Sequence, residues 1–507
     1  MQRKLTMAGT LMALLLAALD QTIVATAGPA IQQDLAIPAG LYAWLTSSYL
    51  VASVATLPLF GKLSDRWGRK ALLLAAISIF VLGSLLCAVS PTATALICAR
   101  AVQGMGSAGL FTSAFAVVAD LYSPVERGKY QGLFSAVFGL ASVAGPLAGG
   151  AITDSVGWHW VFLINVPVGI LATMLVLRMP PLRMVHEGRR PALDLLGALL
   201  LMAAVVPLLI GLSIVHPESA TPGEPTLAWS SPLIVALLAL SLVSGVLFVW
   251  RERRAADPLL DLRLFGNRTF ALGNLATFLF GATFLSSVVF LPLFMVNVVG
   301  LSATGSGLTM TPLTLGVVAG NVVSGQLVAR LGRYKGLMIG SSVVLLGAFL
   351  VMGFTLESDA SQAEVTMKMI LVGLGLGPSM PLFTIAIQSS VALRQVGVAT
   401  STVTFSRNLG STLGVAVMGT VFASTLASQT AAQLAKLPTH DPQALAHASR
   451  EAMSAAVSGI YQVNAGLTLL ALVVTLFLPS VVLRSGPGAR GTDSASSPSK
   501  GPQPSGA

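Results

Sequence analysis

The sequence predicts an all-α polytopic membrane protein of about fourteen transmembrane helices, with two six-helix bundles and two helices inserted between them. Three observations carry this. Of 507 residues, 54% are hydrophobic and only 9% are charged, whereas a soluble domain carries about 25% charged residues. Windows of about 20 apolar residues, long enough to cross a hydrocarbon core, recur along the whole chain. A basic stretch, Gly61-Lys62-Leu63-Ser64-Asp65-Arg66-Trp67-Gly68-Arg69-Lys70, also returns in outline. Gly325, Arg330, Gly332 and Arg333 stand 264 residues after Gly61, Arg66, Gly68 and Arg69 (325 − 61, 330 − 66, 332 − 68, 333 − 69). Two copies in register, each followed by another apolar run, describe a chain made of two similar halves.

Taken in order, the first six spans cover Leu5–Ala27, Ala43–Phe60, Ala71–Ser90, Thr94–Ala119, Gln131–Thr153 and Trp158–Arg178. The first carries Asp20 and lacks a cleavage site, so it reads as a retained helix and not a signal peptide. A polar linker, Pro180–Pro191, precedes two inserted spans, Ala192–Leu212 and Ser231–Trp250, which flank an acidic, Pro-rich loop at His216–Pro225. Arg251–Arg268 reads as an amphipathic segment on the inner surface. The last six spans are Thr269–Val296, Gly305–Ala329, Gly336–Thr355, Val365–Val391, Val398–Leu426 and Gly459–Leu483, with a polar outer loop expected at Ala427–Ser458. The resulting domains are residues 1–184 (first bundle), 185–264 (linker and inserted pair), 265–484 (second bundle) and 485–507 (disordered tail).

The net charge of +10 is a topology signal. Most Lys and Arg fall in alternate loops and tails, which places those loops and both termini in the cytoplasm and leaves no charge pattern for nucleic acid. Gly61–Lys70 cannot sit in hydrocarbon and belongs at the inner surface, where Gly61 and Gly68 permit a tight reversal. Cys87 and Cys98 lie near the outer ends of neighbouring spans; they read as two buried small side chains, with a bridge as the alternative.

Gly104-Met105-Gly106-Ser107-Ala108-Gly109 matches G-x-G-x-x-G literally. A dinucleotide site needs a strand before the motif; this one lies inside an apolar helix, where such glycines serve close packing. Gly373, Gly375 and Gly377 read the same way. In span five Gly132, Ala136, Gly139, Ser142, Gly145, Pro146, Gly149 and Gly150 recur every three or four residues. They predict a small-residue face that a second backbone can enter, in a helix bent at Pro146. Span ten has a matching seam in Gly316, Gly320, Ser324 and Gly325, and is the expected partner. No Walker sequence, metal-spaced cluster or nucleophile elbow is present, so the chain reads as a non-enzyme.

Asp20 is the one acid deep within a span, which makes it a functional-site hypothesis. It lies about 22 Å up the first helix, at 1.5 Å per residue. Arg100 lies about 9 Å in from the outer edge of span four, at the same level, so the two predict each other as partners. The residues alone leave open whether Asp20 is a structural ion pair or a proton or cation site. Arg407, within span thirteen, can bind an anionic group or pair with helix-end carbonyls. Glu364 and Lys368 are one turn apart and can pair. Trp158, His159 and Trp160 form an outer aromatic belt, His159 being an alternative proton relay.

Together these stretches resemble the major facilitator superfamily, and within it the fourteen-helix drug:proton antiporters. Leu19-Asp20-Gln21-Thr22-Ile23-Val24 resembles that family's first-helix motif, and Gly61–Lys70 resembles the superfamily's signature loop. Arg100-Ala101-Val102-Gln103-Gly104-Met105-Gly106 resembles the helix-four motif whose arginine is linked to proton coupling. Gly139, Gly145, Pro146, Gly149 and Gly150 resemble the antiporter motif of helix five, and Asn165-Val166-Pro167 the usual helix-six sequence. In the second-half loop Ala329 replaces the acid found at Asp65.

The resemblance implies inverted-repeat halves rocking around a midplane cavity, and a monomeric exporter of lipophilic small molecules in the plasma (inner) membrane. It implies Asp20 and Arg100 in proton coupling, and Gly61, Asp65, Arg66, Gly68 and Arg69 in a cytoplasmic gate. Gln21, Gln103, Asn165 and Arg407 are candidate cavity residues. Protons, substrate and membrane lipid are the partners implied; no metal or cofactor is, a proton gradient being the drive. A dedicated exporter of one metabolite, antibiotic or lipid is the alternative within transporters, and a membrane enzyme or receptor the alternative outside them.

Overall fold

The computed structural model describes residues 2–37, 44–179, 194–214, 229–300, 311–392, 395–434 and 442–479. Fourteen long helices run in sequence. They are α1 (Gln2–Asp34), α2 (Trp44–Trp67), α3 (Arg69–Ala88), α4 (Ala93–Leu121), α5 (Pro124–Val156), α6 (His159–Leu177) and α7 (Leu195–Ile214). There follow α8 (Pro232–Arg254), α9 (Arg268–Asn297), α10 (Thr311–Leu331), α11 (Lys335–Thr355), α12 (Gln362–Ser389), α13 (Val396–Leu434) and α14 (Pro442–Leu476). Thirteen of them are long and apolar enough to cross a membrane. The fourteenth, α5, spans 33 residues. No β-strand forms among the described residues.

Local chemistry sets the ends and breaks. Ser123 and Glu126 form a reciprocal capping box that opens α5. α6 is interrupted at Ile164, so Asn165 begins its second piece. α12 is interrupted at Gly377 and Pro378, since a proline removes a backbone donor. Gly68 and Gly332 both have positive φ, +85° and +62°, a conformation glycine adopts at no steric cost. The repeated loop is therefore repeated in backbone shape as well as in sequence.

Each half has its own core. Leu16, Tyr49, Leu73, Phe80 and Val117 pack within the first, and Phe294, Leu345, Phe349, Phe383 and Tyr461 within the second. The inserted pair docks where the halves meet. Leu201 and Leu209 of α7 and Phe248 of α8 share a cluster with Val51 and Val54 of α2, with Phe405 and Leu409 of α13 packed against it. The segment after α8 is a strap with one short 3-10 turn, Leu262–Gly266, that buries Leu259 and Leu260. Its Pro258 carbonyl accepts from Lys62 Nζ at 3.0 Å, and its Asp261 accepts from Gln395 Nε2 at 3.3 Å, so it touches both halves.

Two expectations are corrected here. Most of the loop expected at Ala427–Ser458 is helical. α13 has 39 residues and α14 has 35, about 58 Å and 52 Å at 1.5 Å per residue, against a hydrocarbon core of about 30 Å. Alanines and short polar side chains keep both helices continuous beyond the apolar stretch, which a window tuned to apolarity does not register. Cys98 is exposed while Cys87 is buried, and both are free thiols; Cys98 faces outward from α4. The linker Pro180–Pro191, the loop His216–Pro225 and the tail 485–507 lie outside the described residues.

Candidate functional site: a buried ion pair, a basic-end latch and a cavity

A buried polar cluster is built from five helices of the first half. Arg100 of α4 donates through Nη1 to Asp20 Oδ2 of α1 at 2.6 Å and to Gln103 Oε1 at 2.7 Å, and through Nε to the Leu45 carbonyl of α2 at 3.0 Å. Gln103 Nε2 donates to Asp20 Oδ1 at 2.7 Å, and Asn165 Nδ2 of α6 does so at 2.9 Å. Asp20 is wholly buried and Arg100 is 1% exposed. The guanidinium also stacks on the Tyr49 ring, 4.5 Å from its centroid, a favourable desolvated cation–π contact. Removing one member of such a buried pair costs about 3–5 kcal/mol, because the other charge is left uncompensated.

Of the residues predicted for this region, Asp20, Arg100, Gln103 and Asn165 come together. Gln21 stands apart, with one long bond to the Tyr49 hydroxyl at 3.5 Å. Ser84, which accepts from both Gln103 and Asn165, and Tyr49 are members that the sequence reading missed. A serine in an apolar span carries no charge signal.

The second cluster joins the halves at the end carrying the basic loops. Asp65 Oδ2 accepts from Val398 N, in the first turn of α13, at 3.1 Å. Its Oδ1 pairs with Arg69 Nη1 at 2.6 Å, and Arg69 Nε pairs with Asp120 at 2.9 Å. A helix N-terminus has unsatisfied N–H groups and a positive dipole end, so a carboxylate there is held electrostatically. A Cβ on Gly61 would stand 2.1 Å from Ser401 Oγ, so α2 and α13 touch backbone to side chain. Arg66, predicted as a third latch charge, forms no ion pair among the described residues, and its Nε is buried without a hydrogen-bond partner there. Asp120, which pairs with Arg69, was not foreseen.

The small-residue seam is divided, contrary to expectation. Gly132 and Gly139 do face α10, at Val322 and Val318, but a Cβ on Gly145 would meet Thr22 Oγ1 of α1 at 2.1 Å, and one on Gly150 would meet nothing within 4 Å. The α10 glycines Gly316 and Gly320 face the Ile370 and Leu374 carbonyls of α12. Spacing says which residues share a face; over eight residues that face drifts from one neighbour to the next. Gly149 is buried; the side chain of Pro146 lies outside the description. Gly104 and Gly106 pack against Tyr49 and Phe80, as close-packing glycines do.

The third feature is a small, partly open pocket in the second half, lined by Thr277, Phe280, Phe284, Val317, Ser379 and Arg407 among others. Arg407 makes one long contact among the described residues, Nη2 to Thr384 Oγ1 at 3.5 Å, and no helix-end carbonyl among them accepts from it.

A membrane-helix bundle with two similar halves and a buried ion pair is matched by known proteins. The sequence profile described as the Major Facilitator Superfamily matches residues 10–415. The chain is 38% identical to "Multidrug resistance protein 3" of Bacillus subtilis (strain 168), covering 82% of this chain and 79% of that one. It is also 38% identical to "Multidrug transporter protein MdtP" of the same organism, covering 83% and 75%. The chain belongs to the Major Facilitator Superfamily. It is an integral membrane transporter, not an enzyme, and these relatives are of the multidrug-efflux type. The solved human organic anion transporter MFSD10 (TETRAN) has the same fold, with a TM-score of 0.62 at 17% identity, covering 94% of this chain and 100% of that one.

Proposed function

We propose that this transporter is a proton-coupled antiporter that exports lipophilic small molecules by alternating access. The observation that carries the reading is the buried carboxylate of Asp20, held by donors from α4 and α6. Arg100, its partner, also grips the α2 carbonyl of Leu45. α2 is thus tied to the ion pair at one end and, through Asp65, to α13 at the other. A proton arriving on Asp20 cancels its charge, frees Arg100 to reorient and loosens α2 at its outer end. Closure at the outer side then accompanies release of the Asp65 latch, and the proton leaves to the cytoplasm. One charge crossing 100 mV is worth about 2.3 kcal/mol, enough for a substrate gradient of roughly 50-fold per proton. The basic loops support a cytoplasmic position for both termini.

The test is proton release when a neutral lipophilic dye binds purified protein. Asp20→Asn keeps an acceptor for Arg100 and is expected to bind dye while releasing no proton. In proteoliposomes it is expected to equilibrate dye without accumulating it. Proton release equal to that of the unmodified protein would show that Asp20 is structural.

A further inference from the structure

We infer that the cavity in the second half is an anion-recognition site, and that Arg407 selects ligands with an acidic group on a lipophilic body. The inference rests on the exporter reading only in assigning the ligand to cargo. A guanidinium keeps its charge in proteins and offers five N–H donors in a planar fork. Arg407 uses one of them, on a 3.5 Å contact to Thr384, and no acid pairs with it among the described residues. Arg407 is half-buried beside the pocket, whereas the fully buried arginine of the first half, Arg100, has Asp20, Gln103 and Leu45 as acceptors. The Asp20–Arg100 pair is neutral as a unit, whereas the Arg407 charge at the pocket wall has no acid against it among the described residues.

The rest of the wall supplies no competing anion. The Thr277 hydroxyl donates to the Gly273 carbonyl at 2.8 Å and the Ser379 hydroxyl to the Leu376 carbonyl at 2.6 Å. Phe280, Phe284 and Val317 complete an apolar surround. Carboxylate and phosphate match a guanidinium fork in shape and charge, and the apolar wall suits a hydrocarbon or aryl body. That chemistry is shared by a lipophilic acid as cargo and by a lipid headgroup.

The experiment measures binding of 1-pyrenebutyrate and of its neutral methyl ester to the purified full-length protein in detergent. The acid is expected to bind about 10- to 100-fold more tightly than the ester, the range for a charge-assisted hydrogen-bonded pair. Arg407→Gln is expected to bring that ratio to about one, and Arg407→Lys to retain part of it. Equal binding of acid and ester by the unmodified protein overturns the inference whether or not any variant folds. So does an unchanged ratio in Arg407→Gln. Accumulation of pyrenebutyrate in proteoliposomes assigns the site to cargo; binding without transport, displaced by lysophosphatidylglycerol, assigns it to a lipid headgroup. Proton release with a neutral dye tests the exporter reading separately, so each can fail alone.

Discussion

The contact between Gly61 and Ser401 makes the latch testable by a single methyl group. A Cβ at position 61 would lie 2.1 Å from Ser401 Oγ and 2.5 Å from Ser401 Cβ, where ordinary contact begins at 3.4 Å. Gly61→Ala therefore requires α2 and α13 to part by about 1.3 Å (3.4 − 2.1). The Ser401 hydroxyl is bonded to the Val398 carbonyl at 2.9 Å, and its Cβ is fixed by the backbone, so rotation alone gives no relief. Overpacking of this kind costs about 1–3 kcal/mol, charged only to the state in which the basic end is closed. That is about a 5- to 150-fold shift toward the state open at the basic end. Spin labels at Trp67→Cys and Arg333→Cys, both exposed positions on opposite halves, report the separation in a Cys98→Ala background. Gly61→Ala is expected to lengthen the dominant distance and slow transport. Ser401→Gly removes both clashing atoms, leaving the Gly397 carbonyl at 3.0 Å, and is expected to restore both readings in the double variant. An unchanged distance with full transport in Gly61→Ala, or no restoration by Ser401→Gly, would refute the latch.

Three further outcomes follow from the same geometry. Asp65→Asn removes the charge that pairs with Arg69 at 2.6 Å and faces Val398 N at 3.1 Å, so transport is expected to slow about tenfold, the equivalent of 1.4 kcal/mol, with little change in melting temperature; wild-type turnover would count against the latch. Gly139→Ala is expected to impair transport and Val318→Ala to restore it, because only Val318 Cγ2, at 2.5 Å, is in the way; failure of that suppressor would remove α5–α10 contact as the cause. Gly145→Ala is expected to impair transport through α1 instead, so Thr22→Gly rescues it and Val318→Ala does not; the reverse pattern would mean that α10, not α1, is its working neighbour.

What the sequence made legible was whatever depends on counting along one helix. Asp20 and Arg100 could be placed at one level because each helical residue rises 1.5 Å, and they meet at 2.6 Å. What was illegible depends on which neighbour a face meets. Gly145 was read toward α10 and faces Thr22, and the long α13–α14 pair was hidden because apolar windows measure membrane crossing and not helix length. The lack of an acid beside Arg407 is a statement about every helix at once, which no single motif can make.

The two basic loops show where the repeat stops. Gly332 keeps the positive φ of Gly68, so the turn demanded by two packed helices is preserved. Ala329 stands where Asp65 stands in the first copy, and Arg333 is exposed where Arg69 is buried between two acids. Backbone shape is needed wherever two helices reverse tightly; charge is needed only where a helix N-terminus from the other half arrives to be held. Among the described residues that arrival is seen at Val398 on Asp65, in the first loop, while the second copy keeps the turn with an alanine at the matching position.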